Sequence, residues 1–279
     1  MSRPDETRSK IPSPPAFPLP RFVVLLSCLI VLSFLIATPG GCLNKADMVA
    51  YAVCHRIGSH SFVIGGRQLP LCARCTGTFA GATIGLFGQA FVLRRRRSAE
   101  FPPAYIIVIL VLFIVLMAAD GLNSYLTMFP NGPYLYEPRN WLRLSTGAFN
   151  GLAMSALIYP VFNFTLWCNP VPQRSIASLR DLGVLMLMEA AMIGIVLSGW
   201  PLLLYPVALL SVSGILALLT AINTIIVVMV AQRENGFDRW SQAFIPVLAG
   251  LAITVIQIGA IDGLRYMLTG TLEGFPPLQ

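Results

Sequence analysis

The chain has 279 residues, of which 56% are hydrophobic and only 11% charged, whereas soluble domains carry about 25% charged residues. Such a composition excludes a soluble enzyme or binding module and predicts an all-α, polytopic bundle of membrane helices. The net charge of +7 does not signal nucleic acid, because the basic residues cluster at the ends of apolar runs, where they anchor topology and meet phospholipid.

Residues 1–20 are polar and proline-rich, with Arg3, Arg8 and Lys10, and are expected to form a disordered cytoplasmic tail. A single helical membrane domain is expected over 21–279. Its first span covers 21–38. A cleaved signal peptide is the rival reading there, but the long proline-rich lead favours a retained anchor. Residues 39–74 form an external loop. The second span, 76–93, stops at Arg94-Arg95-Arg96-Arg97, a strong cytoplasmic marker because arginines are costly to translocate. That tract sets the tail inside and the loop outside. Further spans follow over 104–119, 144–167, 182–200, 202–231 and 243–261, seven in all, with the C-terminus outside. The sixth exceeds the roughly 20 residues a bilayer needs, which predicts tilt or a bend at Pro206.

The chemistry-bearing residues gather in the external loop: Cys54, His55, His60, Cys72 and Cys75. Three readings fit them. A tetrahedral site with Cys54, His55, Cys72 and Cys75 as metal ligands favours zinc, whose preferred partners are thiolate and imidazole. Neighbouring side chains of a strand point opposite ways, so Cys54 and His55 ligate together only in a turn; otherwise one supports the other. The second reading is redox, with Cys72 paired to Cys75 and Cys42 to Cys54. The third is inert thiols at a helix start.

Other polar residues reach the same depth. Asp120 ends the third span, Asn140, Arg143 and Thr146 open the fourth, and Asp262 and Arg265 end the seventh. Asp120, Arg143 and Asp262 are the catalytic candidates, with either aspartate as general base if zinc retains an open position. Lys45, Arg56, Arg67 and Arg74 lie on the side where basic residues are under-used, and they suit carboxylate partners or an anionic ligand. Glu189 lies about 10 Å into the fifth span by helix rise. A carboxylate at that depth costs a few kcal/mol unless paired or protonated, which keeps a transport reading open. Gly77, Gly81 and Gly85, and Gly147, Gly151 and Ser155, recur every fourth position and predict close packing of spans two and four.

Cys54-His55-Arg56, Ser61-Phe62, Gly66, Gln68-Leu69-Pro70, Cys72-Ala73-Arg74-Cys75-Thr76-Gly77 and Gly81 together resemble the signature of predicted prokaryotic membrane proteins called domain of unknown function 2085. Asp120-Gly121 and Asn140-x-Leu142-Arg143-x-x-Thr146-Gly147 are similar to that family's second and third motifs. The resemblance covers about residues 50–155 and departs from the pattern at His60, Ser124 and Pro138-Arg139. It implies a multi-pass protein of a prokaryotic plasma membrane and groups these residues without supplying a reaction. Two functions from different classes fit: a zinc-dependent enzyme acting on a lipid-linked or amphipathic anionic substrate, and a transporter or channel with a structural metal cap. A thiol–disulfide protein is the third.

Overall fold

Apolar runs flanked by prolines, glycines and arginines become helices because, in lipid, a chain satisfies its backbone groups only within itself. The computed structural model describes residues 19–127, 129 and 132–272. The expected tail over 1–20 therefore lies, apart from Leu19 and Pro20, outside the described residues. Among those described there are eight α-helices: α1 (Pro20–Ala37), α2 (Cys42–Val53), α3 (Ala73–Phe87), α4 (Ala104–Leu126), α5 (Asn140–Leu166), α6 (Leu179–Leu197), α7 (Leu204–Val230) and α8 (Trp240–Thr269). The protein is an all-α membrane bundle.

The centre of the bundle is the seam between α3 and α5, and small residues create it. A Cβ added at Gly81 would stand 2.4 Å from the carbonyl oxygen of Ala148, and one at Gly151 would stand 2.0 Å from that of Thr78. Backbone thus lies on backbone, as the two small-residue stripes predict. Helix α7 meets the other side of α3 the same way, with Gly214 against the Phe79 carbonyl. Leu144, Ala148 and Ala80 fill the seam together with Val207 and Ala208 of α7.

Six of the helices are long and apolar enough to cross a membrane, one fewer than the seven expected. The missing one is α6, which carries Arg180, Asp181 and Glu189. It still runs from one end of the bundle to the other. Its first turn is capped by Ser178, whose hydroxyl accepts from the Asp181 amide at 3.3 Å, and Asp181 pairs with Arg95 of the arginine tract at 3.6 Å. Beyond its far end, Pro201 packs against Gly65 in the cysteine loop.

Two further expectations are corrected. Pro206 does not bend its helix: it falls in the first turn of α7, where its missing N–H interrupts no intrahelical bond. Residues 39–74 are not a plain loop either. They contain the twelve-residue α2, a 3₁₀ turn (Gly58–His60) and an antiparallel hairpin of β1 (Val63–Ile64) with β2 (Arg67–Gln68). Gly65 and Gly66 turn the hairpin at φ 59° and 78°, a conformation only glycine adopts without strain. At the opposite end, β3 (Ser98–Glu100) pairs in parallel with β4 (Val171–Arg174), tying the segment after the arginines to the one after α5.

Candidate metal centre

Four potential ligands lie where α2 ends and α3 begins, and three of them, Cys54, His55 and Cys72, come together. Cys54 immediately follows α2, His55 comes next, Cys72 precedes α3, and Cys75 lies in the first turn of α3. Ligand atoms of Cys54, His55 and Cys72 all lie within 4.8 Å of one another. Ligands of a tetrahedral zinc, bonded at about 2.0–2.3 Å, stand roughly 3.3–3.8 Å apart, so a small inward movement brings all three to bonding distance. Cys75, one turn into α3, lies beside this group but outside the set of ligand atoms that falls within 4.8 Å. All six cysteines are free.

The loop is shaped to hold a thiolate at Cys54. Backbone N–H groups of Cys72 and Arg56 donate to its sulfur at 3.2 and 3.4 Å. Arg56 takes φ 53° to do so, a left-handed backbone that a non-glycine residue rarely adopts. Donation from the Cys72 and Cys75 side chains, reinforced by these amides, holds the Cys54 thiol far below its ordinary pKa. The same sharing pushes Cys72 up. Burial lowers His55 and brings His60 down to about 4, so both rings are neutral at pH 7. The two rings meet edge to face at 5.6 Å. The Ile57 amide donates to His55 Nδ1 at 3.0 Å; ligation through that nitrogen exchanges the hydrogen bond for the metal.

Around the thiols lies a connected polar cluster. Arg74 forms an ion pair with Asp120, which is 2% exposed, and also donates to the Asp120 carbonyl at 3.1 Å and the Ser124 hydroxyl at 3.0 Å. The Tyr136 hydroxyl donates to the other Asp120 oxygen at 2.8 Å. Arg143 donates to Ser124 at 3.4 Å and to the Asn140 side-chain oxygen at 2.9 Å. Asn140 in turn donates to the Ser59 carbonyl at 3.1 Å, beside the histidines. The second and third sequence motifs therefore converge on the first. Ser124, a departure from the family pattern, is the hydroxyl at which the two arginines meet.

The remaining candidates sit elsewhere in this frame. Arg56 and Arg67 share Asp47 of α2 at 2.9 and 2.7 Å, which pins the loop to its helix. Arg265 of α8 donates to the carbonyls of Tyr51, Cys54 and His55 and stacks on the Tyr51 ring at 4.0 Å. It completes the end of α2, whose last carbonyls have no helical partner. Asp262, one turn earlier on α8, is buried, and among the described residues neither of its oxygens has a hydrogen-bond partner. The Glu189 carboxylate is likewise buried and unpartnered; it lies on the face of α6 between Leu185 and Met192. Sequence reasoning missed Tyr136 and Asp47. Neither carries a local signal: one lies in a proline-rich loop, the other in a helix that composition alone reads as loop.

Residues 54–157 match the DUF2085 family of predicted membrane proteins. The match begins at Cys54 and takes in the thiols, the hairpin, α3, α4 and most of α5, which is where the polar cluster lies. An uncharacterised protein of Methanocaldococcus jannaschii is 28% identical over 110 residues, 39% of this chain and 64% of that protein, so less than two thirds of its length is spanned. One from Methanothermobacter thermautotrophicus is 29% identical over 105 residues, 38% of this chain and 83% of its own. No solved structure matches the chain. Arg265, Asp262 and Glu189 all lie beyond the DUF2085 segment.

Proposed function

We propose that this membrane protein binds zinc through Cys54, Cys72 and Cys75 with His55 as the fourth donor, and presents the site to a lipid-linked or amphipathic anionic substrate. The observation that carries the reading is the gathering of Cys54, His55 and Cys72 ligand atoms within 4.8 Å. The backbone donors aimed at the Cys54 sulfur support it, since such bonds favour the charged form that a metal requires. Soft thiolates with imidazole select zinc over hard cations.

Zinc supplies Lewis acidity when bound. The chain's own residues supply recognition. Arg74 pairs with Asp120 while Arg143 donates to Ser124 and Asn140, so two guanidinium groups share a cluster with one carboxylate and leave it positive beside the thiols. Guanidinium suits phosphate and carboxylate groups. Asp120 is held by Arg74 and Tyr136 and so orients Arg74, and a proton on the Tyr136 hydroxyl is the one it can exchange.

The test is elemental analysis of the detergent-purified chain with thiol counting under non-reducing conditions. Wild type is expected to carry one zinc per chain, Cys54→Ser and Cys72→Ser none, and Cys42→Ser the full complement. A metal-free wild type with paired thiols would instead make it a thiol–disulfide protein. A second reading, a transporter with a structural metal cap, draws on the buried, unpartnered Glu189. Loss of ion flux in Glu189→Gln with zinc retained would favour it.

A further inference from the structure

At the arginine end of the bundle, roughly 18 Å along α3 from Cys75 to Phe87 by helix rise, a second site is built that the thiol centre does not use. A cavity of about 550 Å³ opens between α3, α5, α7 and the start of α8, within the range of about 300–1,000 Å³ typical of small-molecule sites. Its walls are apolar, among them Phe87, Ala90, Ile158 and Ala217, and Trp240 stands at its edge. Three of its polar groups are spent within the fold. Thr83 donates to the Phe79 carbonyl at 3.0 Å, Tyr159 to that of Arg95 at 3.1 Å, and Asn163 to that of Ser98 at 3.1 Å. Arg96 is different. It lines the cavity and is exposed, and among the described residues it makes no hydrogen bond or ion pair. Its guanidinium rests over the Phe91 ring at 5.3 Å. Its tract neighbours are engaged otherwise: Arg95 pairs with Asp181 and Arg97 donates to the Asp238 carbonyl at 2.6 Å.

An apolar cleft closed at its mouth by one unspent guanidinium, with no acid lining it, is complementary to a molecule with a hydrocarbon body and an anionic head. We propose that this cleft binds an anionic phospholipid of the leaflet at the arginine end, with an acyl chain between α3, α5 and α7 and the phosphate on Arg96. Guanidinium binds phosphate oxygens through paired, charge-assisted donors, and a basic pocket between membrane helices is a headgroup site. The bilayer supplies such a ligand at that depth.

The test uses the full chain purified in detergent and native mass spectrometry with three probes: phosphatidylglycerol, phosphatidylcholine of the same chains, and inorganic phosphate. Phosphatidylglycerol is expected to be retained in preference to phosphatidylcholine. Arg96→Gln, which removes an exposed group that makes no hydrogen bond or ion pair among the described residues, should weaken that retention about tenfold, the loss of one charge-assisted contact. Ala221→Phe, which fills the cleft with the arginine intact, should abolish it. Equal retention of both lipids, indifferent to Arg96→Gln, would make the cleft an ordinary lipid-filled crevice and overturn the proposal. Retention of inorganic phosphate as strong as that of the lipid would overturn it too, by making Arg96 a free-anion site. Unchanged zinc content in both variants separates this site from the thiol centre.

Discussion

Asp120 shows how a residue acquires its role from its neighbours. A carboxylate at the end of an apolar helix usually snorkels to the interface, yet this one is 2% exposed, paired with Arg74 and accepting from Tyr136. Removing one partner of a buried ion pair leaves the other charge uncompensated, which costs about 3 kcal/mol. Asp120→Asn is therefore expected to lower the unfolding free energy in detergent by about that amount, whereas Tyr136→Phe loses one hydrogen bond, about 1 kcal/mol. Equal stability of the two variants would show that the pair is not the anchor. Asp120 and Arg74 were legible in the sequence, because charged groups stand out in a chain only 11% charged, whereas Tyr136 was not. Nor were their pairings. Arg74 and Asp120 are 46 positions apart, and no periodicity encodes which guanidinium meets which carboxylate.

Between elements, the seam of α3 and α5 follows from the sequence and the loop does not. Small residues every fourth position specify a close helix contact in lipid, where packing and not hydrophobicity drives association. Gly81→Ala, which drives a methyl group against the Ala148 carbonyl, is expected to destabilise by about 1–3 kcal/mol. Gly183→Ala in α6 meets nothing within 4 Å and should be neutral or stabilising by up to about 1 kcal/mol through helix propensity. Thermal unfolding of the two variants side by side checks the contrast. Helix α2, by comparison, is short and mixed in composition, and tertiary contacts hold it. Arg265 reaches from α8 to its last carbonyls, and Asp47 ties it to Arg56 and Arg67. Groups that orient ligands tune metal affinity about 10–100-fold. Arg265→Gln should thus weaken zinc binding about tenfold in competition with a chromophoric chelator, with Arg265→Lys recovering part of it. An unchanged affinity would reduce the arginine to a packing residue of α8.

On the scale of the molecule, the two ends differ in character. One holds thiols, histidines and the cluster around Asp120; the other holds four consecutive arginines and the cleft at Arg96. Among the described residues six helices are long and apolar enough to cross between them; α6 is anchored by Arg95–Asp181 at the arginine end, and Pro201, beyond its other end, lies against the hairpin. The arginine tract predicts which end faces the cytoplasm. A membrane-impermeant maleimide applied to intact cells should label Cys42, which is exposed at the thiol end, and spare Cys168 beyond α5 at the arginine end. The reverse pattern would invert the orientation.

Composition and charge placement by themselves determined the solvent this chain folds in, the long apolar helices that result and the end at which its reactive groups collect, since each follows from transferring short stretches of chain into lipid. Tertiary structure alone decided that Cys54 receives backbone donors from Cys72 and Arg56, that α8 completes α2, and that Arg96 is left beside an apolar cleft with no hydrogen bond or ion pair among the described residues. Those are properties of groups brought together from distant positions. Their energies depend on distances and directions that exist only once the helices have packed.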